Sequence, residues 1–164
     1  MAELAKWFSL QLQVSADGFL WAVAQRPTDR LFLTPPRHPE RWSTARIVFH
    51  LVTYERRLAF PSLRQWFGGP CPTVGSMEED AAEEEAIWNS DQGHDIPSLL
   101  TAFAALRSEQ IALLARIDEV TWEERRDTIW GSKLLRWILT KTYQHTLEHT
   151  DEVLRSVLWW DDMI

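Results

Sequence analysis

The sequence predicts an all-α protein built as a four-helix bundle, and three observations carry that prediction. Four long stretches repeat apolar residues every three or four positions, which is the period of an α-helix. Strand signals are nearly absent, because no hairpin turn is flanked by alternating apolar residues. Apolar residues make up 45% of the 164 positions, a composition typical of globular proteins. We therefore expect residues 1–164 to form one domain with four main helices.

The first two helices have clear boundaries in the sequence. The first is expected at about residues 3–25, where Pro27 ends it because the residue before a proline is pushed out of the α region. A proline-rich connection follows. Ser43 is then a suitable N-cap, and the second helix is expected from residue 44 to residue 58 or slightly beyond.

A turn-rich, acidic insertion at residues 61–95 separates the second helix from the third. Ser76 and Glu79 have the spacing of a capping box, which predicts an additional short helix at about residues 77–88. Six acids fall between Glu78 and Glu85. We interpret them as a solvated helix face near the positive end of the helix dipole, since their spacing does not match a calcium-binding loop.

Two further helical patterns complete the bundle. The third helix is expected at about residues 95–117, where Leu99 and Phe103 mark its apolar side. The fourth is expected at about residues 133–157, where Leu135 and Ile138 begin an apolar stripe. Each stripe is the side of the helix that we expect to face the bundle interior.

Three histidines occupy inward-facing positions. His145 and His149 continue the stripe of the fourth helix, and His50 lies between Ile47 and Tyr54 on the second. A buried imidazole without partners costs about 1–3 kcal/mol, so three together need a shared partner such as a divalent metal. Histidines at i and i+4, with a third from a facing helix, leave coordination positions open for water or substrate. Three ordinary core histidines are the alternative, because one such pair can arise by chance and is weak evidence alone.

Two other metal-site classes fit the sequence poorly. His145-Thr-Leu-Glu148-His149 has the inverted zincin pattern, in which the glutamate is a general base. That class takes an acidic third ligand well downstream in a much larger domain, so we do not expect a protease. A di-iron carboxylate site needs a glutamate three residues before each histidine, but positions 142 and 146 are threonines.

Charge and composition exclude further classes of function. The net charge is −7, and an acidic domain repels phosphate backbones, so we expect no nucleic-acid partner. No run of about eighteen apolar residues predicts a membrane span, and the N-terminus does not read as a signal peptide. The single cysteine, Cys71, cannot form an internal disulfide, which fits a cytoplasmic protein.

Two stretches also carry a family resemblance. WSTARIVFHLVTYERRL around His50, together with the later YQHTLEHTDEVLR, resembles the DinB-like superfamily of damage-inducible bacterial proteins. The resemblance covers nearly the whole chain. It implies a bundle in up-down-down-up order, often a homodimer, with a divalent metal on His50, His145 and His149.

The resemblance implies an activity as well. Characterised relatives include mycothiol-dependent maleylpyruvate isomerase and bacillithiol transferases, in which the metal is thought to activate a thiolate. It therefore implies a small-molecule substrate, a low-molecular-weight thiol, and Zn or Ni, with Fe or Mn as further candidates. The alternative is a non-catalytic dimeric helical protein with a stress-related role, whose histidine cluster is structural or vestigial.

Residues beside the three histidines are candidates for the surrounding site, although no catalytic residue is assigned. Tyr54, one turn from His50, could donate a hydrogen bond to a ligand, and Glu55 and Glu148 could orient the imidazoles. The wall of a pocket for an apolar electrophile could come from tryptophans, for which plain core packing is the alternative; these are Trp7, Trp42, Trp88 and Trp137.

Overall fold

A computed structural model describes residues 2–90 and 94–160. Its helices, in chain order, are α1 (Ala2–Ala24), α2 (Thr44–Tyr54), α3 (Phe60–Arg64), α4 (Met77–Asn89), α5 (Ile96–Leu114), α6 (Glu119–Glu123) and α7 (Leu135–Trp160). Two short antiparallel strands, β1 (Arg125–Thr128) and β2 (Gly131–Leu134), precede α7. No helix within the described ranges combines the length and apolarity that a membrane crossing requires.

The four long helices α1, α2, α5 and α7 form the predicted bundle. α1 packs against α5 and α7, and α2 packs against the same two helices. α1 and α7 run parallel: the rings of Trp7 and Tyr143 lie 6.0 Å apart near one end, and the Arg26 guanidinium lies 4.8 Å from the Trp160 ring near the other. α2 and α5 are also parallel, because their first turns share one apolar cluster and the Glu55 carboxylate just after α2 meets Arg107 on α5. The predicted up-down-down-up order is therefore confirmed.

A buried polar layer divides the bundle core into two apolar clusters. One cluster contains Phe19, Leu51 and Phe103, and the other contains Leu12, Leu114 and Leu139. Along the chain, buried polar side chains lie between the two clusters, and each of α1, α5, α7 and the turn after α2 contributes at least one. They are Ser15, Glu55, Arg107, Gln110, Thr142 and Thr146. Burial of the large apolar side chains stabilises the fold by about 1.5–3 kcal/mol each, while the polar layer needs internal hydrogen bonds to be tolerated.

Helical structure continues after α2 through a change of type. A π-helical turn at Glu55–Ala59 joins α2 to α3, and a 3-10 turn at Gln65–Phe67 follows α3. The predicted extension of the second helix beyond residue 58 is thus correct, but the turn at Glu55 is wider than an α-helix. Such π turns are frequent near functional sites, and this one begins a little over one helical turn after His50.

The hairpin formed by β1 and β2 departs from the sequence prediction, which has no strand here and starts the last helix at residue 133. Its two-residue loop at residues 129–130 lacks the Asn-Gly signal of tight hairpins. Thr128 replaces that signal: its hydroxyl donates to the Gly131 carbonyl at 2.8 Å and accepts from the Trp130 amide at 3.1 Å. Apolar periodicity does not detect a turn that depends on one hydroxyl.

The short helix predicted inside the insertion is confirmed as α4. Its capping box is complete, since the Ser76 hydroxyl accepts from the Glu79 amide at 3.1 Å and the Glu79 carboxylate accepts from the Ser76 amide at 2.8 Å. α4 packs against α2, the helix that carries His50.

Candidate metal centre

Three histidines from two helices meet at one place in the bundle. α2 contributes His50, and α7 contributes His145 and His149 from successive turns. The His50 ring centroid lies 5.4 Å from that of His145 and 4.9 Å from that of His149, while the two α7 rings are 4.5 Å apart. One potential ligand atom from each residue lies within 4.8 Å of the others, so the cluster could hold a metal ion.

Two carboxylates accept hydrogen bonds from two of the three imidazoles in the cluster. Nδ1 of His50 lies 3.0 and 3.1 Å from the two oxygens of Glu84, and Nδ1 of His149 lies 2.7 Å from Oε2 of Glu152. An ionised carboxylate only accepts hydrogen bonds, so each Nδ1 donates; in a neutral imidazole this places the lone pair on Nε2. A carboxylate on the far nitrogen is the usual way in which proteins orient a metal-ligating imidazole.

The spacing of the nitrogens fits a divalent cation. Nε2 of His149 lies 3.2 Å from Nε2 of His145. Two imidazole nitrogens bound to one tetrahedral Zn²⁺, each at about 2.0–2.1 Å, would be about 3.3 Å apart. Imidazole donors suit Zn²⁺, Ni²⁺ and other first-row metals, so the donor set and its geometry both agree with such an ion.

The pKa values of the two carboxylates agree with this arrangement. The hydrogen bond from His149 holds the pKa of Glu152 below its ordinary value, even though partial burial acts in the opposite direction. For Glu84, burial raises the pKa, but the hydrogen bond and charge of His50, together with the nearby arginines, outweigh it and lower the pKa. Both groups are therefore carboxylates at neutral pH and remain acceptors.

The third ring, His145, is held by packing. Its centroid lies 4.0 Å from the Tyr54 ring, and its Nδ1 is buried without a hydrogen-bond partner within the described ranges. Burial, together with the charges of His149 and His50, lowers the pKa of His145 to about 3. The ring is thus neutral at pH 7, which is the state that binds metal.

The cluster opens onto a cavity of about 640 Å³, within the usual range for small-molecule sites. Trp42 stands beside the histidines with its ring 5.0 Å from that of His50. The lining residues are Glu40, Arg41, Trp42, Ile47, His50, His145, Glu148, His149 and Glu152. A small molecule can therefore reach the histidine nitrogens from this side.

The remaining predicted site residues differ in their distance from the histidines and in their contacts. Tyr54 lies against the cluster, but its hydroxyl is buried and makes no hydrogen bond in the described part of the chain; burial raises its pKa. Glu148 lines the cavity and is exposed. Glu55 points into the polar layer, where it accepts from Arg107 at 2.8 Å and from Gln110, so it does not orient an imidazole.

Of the four tryptophans proposed as a pocket wall, one lines the cavity and three lie elsewhere. Trp42 lines the cavity beside the histidines. Trp88 packs against the Phe49 ring at 5.5 Å, as the core-packing alternative expects. Trp7 and Trp137 line a different cavity, between the start of α1 and the hairpin.

Two residues that the sequence analysis did not select, Glu84 and Glu152, hold two of the three histidine rings. Glu152 has a readable signal, because it lies three residues after His149 and so shares its helix face. Glu84 has none in its local sequence, where it is one acid in a run of them. Our interpretation of that run as a solvated face is incomplete, since Glu84 turns toward α2 and is largely buried there.

Comparison with known families addresses the identity of the chain. The model of the DinB superfamily matches residues 11–153. The chain belongs to the DinB superfamily. The match includes all three clustered histidines, and the resemblance noted in the sequence is confirmed. Comparison with curated proteins found no match, and comparison with solved structures found none either.

Proposed function

We propose that this DinB-superfamily chain is a divalent-metal-dependent enzyme that transfers a low-molecular-weight thiol to a small electrophile. The observation that supports it best is the placement of three histidine nitrogens within 4.8 Å of one another beside an open cavity. Structural zinc sites normally use four protein ligands, so three imidazoles leave room for an exogenous one. Zn²⁺ or Ni²⁺ suits the donors best, and Fe or Mn would also be accommodated.

The side chains of the cluster have distinct tasks in such a reaction. A bound metal would supply Lewis acidity that lowers the pKa of a thiol beside it. Glu84 and Glu152 accept from Nδ1 of His50 and His149, so that Nε2 of each ring would be the nitrogen available to a cation. In the transfer, the thiol sulfur forms a bond to the electrophilic carbon, the bond to the leaving group breaks, and the thiol proton leaves with that group.

The cavity lining favours an electrophile with an apolar part. Trp42 and Ile47 provide apolar surface next to His50, while the rest of the lining is polar, with Arg41 and three glutamates beside the histidines. An aromatic wall binds apolar groups and excludes water from the reacting centre. The substrate that we propose is therefore a small molecule with an apolar body that can approach the histidines through the open side.

Metal content tests the first part of the proposal. Protein purified without a polyhistidine tag should contain nearly one metal per chain by mass spectrometry, and the double variant His145→Ala, His149→Ala should contain none. His38→Ala, which alters a histidine outside the cluster, is the matched control and should keep its metal. Metal-free wild-type protein whose stability is unchanged in the double variant would instead support the non-catalytic alternative.

Conjugation tests the second part. The metal-loaded protein is incubated with monochlorobimane and each of several cellular thiols, and the fluorescent conjugate is measured. We expect conjugation that depends on the metal and disappears in the double variant. A fully loaded protein that accelerates conjugation with none of the thiols would contradict the transferase proposal while leaving the metal site intact.

We also propose that the protein forms a homodimer. The observation that supports it is a row of exposed apolar side chains along α1, spaced three, four and seven residues apart: Trp7, Leu10, Val14 and Trp21. These residues share one helix face, and a contiguous exposed apolar surface on a folded domain is typical of an interaction site. A second copy of the chain would bury this row.

A further inference from the structure

The insertion helix α4 is attached to α2 and the following π turn through ion pairs as well as through the packing of Trp88 against the core. Arg46 lies 3.0 Å from a carboxylate oxygen of both Glu84 and Glu85. Arg57 lies 3.0 Å from Asp80 and 2.7 Å from Glu83. None of the side chains of α4 that the structure describes is fully buried, so these ion pairs are a large part of the polar contacts that hold it.

Glu84 differs from the other acids of α4 because it also contacts the histidine cluster. Its side chain is only 13% exposed, whereas that of its neighbour Glu85 is 55% exposed. Both Glu84 oxygens lie within 3.1 Å of Nδ1 of His50, and one of them also lies 3.0 Å from Arg46. A single carboxylate thus joins the insertion, α2 and the proposed metal centre.

We propose that Glu84 is a positioning residue of the metal centre, supplied by the insertion, and that metal binding and the docking of α4 stabilise each other. The inference rests on the proposed function, since it requires that the three histidines bind metal. A carboxylate on Nδ1 fixes the tautomer and the orientation that His50 needs for binding through Nε2. Coupling between two equilibria is reciprocal. The free energy by which docked α4 strengthens metal binding therefore equals the free energy by which bound metal strengthens the docking of α4.

Metal affinity measures the first half of the inference. Zn²⁺ binding to chelator-treated protein is followed by titration calorimetry. Glu84→Ala should weaken binding about 10–100-fold, the usual effect of losing such a partner, and Glu84→Gln, which keeps an acceptor without the charge, should weaken it less. The matched control is Glu85→Ala, which removes a neighbouring Arg46 partner with no contact to His50, and it should leave the affinity unchanged.

A double variant separates positioning from a merely structural role. If Glu84 acts through the imidazole, then Glu84→Ala should weaken Zn²⁺ binding no further in a His50→Ala background. An equal loss with and without His50, or an equal loss in Glu85→Ala, would overturn the inference. Wild-type protein that binds no Zn²⁺ would overturn the proposed function itself, whereas unchanged affinity in Glu84→Ala would overturn this inference alone.

Hydrogen exchange measures the second half. Saturation with Zn²⁺ should slow amide exchange in α4 of the wild-type protein, and this protection should disappear in Glu84→Ala although that variant is saturated at higher Zn²⁺. The amides of α6 serve as the internal control and should not change, because Trp122 of α6 packs in one apolar cluster and Trp88 of α4 packs against the other. Metal saturation that leaves exchange in α4 unaltered would contradict the coupling.

Discussion

Glu55 and Arg107 form a buried ion pair in the polar layer of the bundle. Their side chains are 1% and 2% exposed, their atoms lie 2.8 Å apart, and Arg107 also donates to the Thr146 hydroxyl at 2.9 Å. Desolvation of two charges offsets much of their attraction, so the pair contributes little net stability. Removal of one partner is different, because it leaves the other charge buried without compensation.

The first prediction at the residue scale follows from this pair. Glu55→Ala should lower the free energy of unfolding, measured in urea, by about 3–5 kcal/mol. Replacing both residues, as Glu55→Leu with Arg107→Met, should lower it by less than either single change. The control is Asp151→Ala, which breaks an exposed pair with Arg155 and should cost about 0–1 kcal/mol. A small effect of Glu55→Ala would mean that water reaches the layer.

The second residue-scale prediction concerns the Tyr54 hydroxyl, which is buried without a partner in the described part of the chain. Tyr54→Phe removes an unsatisfied polar atom and keeps the ring against His145, so it should raise the free energy of unfolding by about 1 kcal/mol. Metal affinity should not change. The partly exposed Tyr143 gives the control variant Tyr143→Phe, which should be nearly neutral. A loss of stability in Tyr54→Phe would show that the hydroxyl does have a partner.

At the scale of elements, periodicity predicts the four long helices to within a few residues because their apolar stripes decide which faces are buried. The same reasoning misses the π turn and the hairpin. The π turn begins at Glu55, whose carboxylate lies in the polar layer, and the hairpin depends on the Thr128 hydroxyl and on Gly131 with φ +83°. Neither feature leaves a periodic trace in the sequence.

At this scale, replacing each of two glycines by alanine should change the stability in opposite directions. Gly131→Ala should destabilise the hairpin by about 1–2 kcal/mol, because a side chain disfavours the left-handed conformation. Gly18→Ala lies inside α1, where an added Cβ meets nothing within 4 Å, and should stabilise the fold by about 0.5–1 kcal/mol. Thermal unfolding of both variants tests this. If both variants became more stable, the backbone at Gly131 would not be constrained to the left-handed conformation in solution.

At the scale of the whole molecule, the exposed row on α1 predicts a change in assembly. Trp21→Glu places a charge in the row that we propose as the dimer interface, and should convert the dimer into a monomer in sedimentation velocity experiments. Val120→Glu is the matched control, because Val120 is 77% exposed and belongs to α6, outside the row. A wild-type chain that sediments as a monomer at high concentration would contradict the homodimer.

The sequence by itself determined the helical architecture and the inward direction of three histidines, because both follow from a 3.6-residue period that any helix must obey. Only the tertiary structure decided that His50 approaches the α7 pair, that Glu84 and not Glu55 holds its ring, and that Glu55 is paired with Arg107. These contacts join residues far apart in the chain. Their distances depend on how the helices pack and where the insertion docks, and local sequence encodes neither.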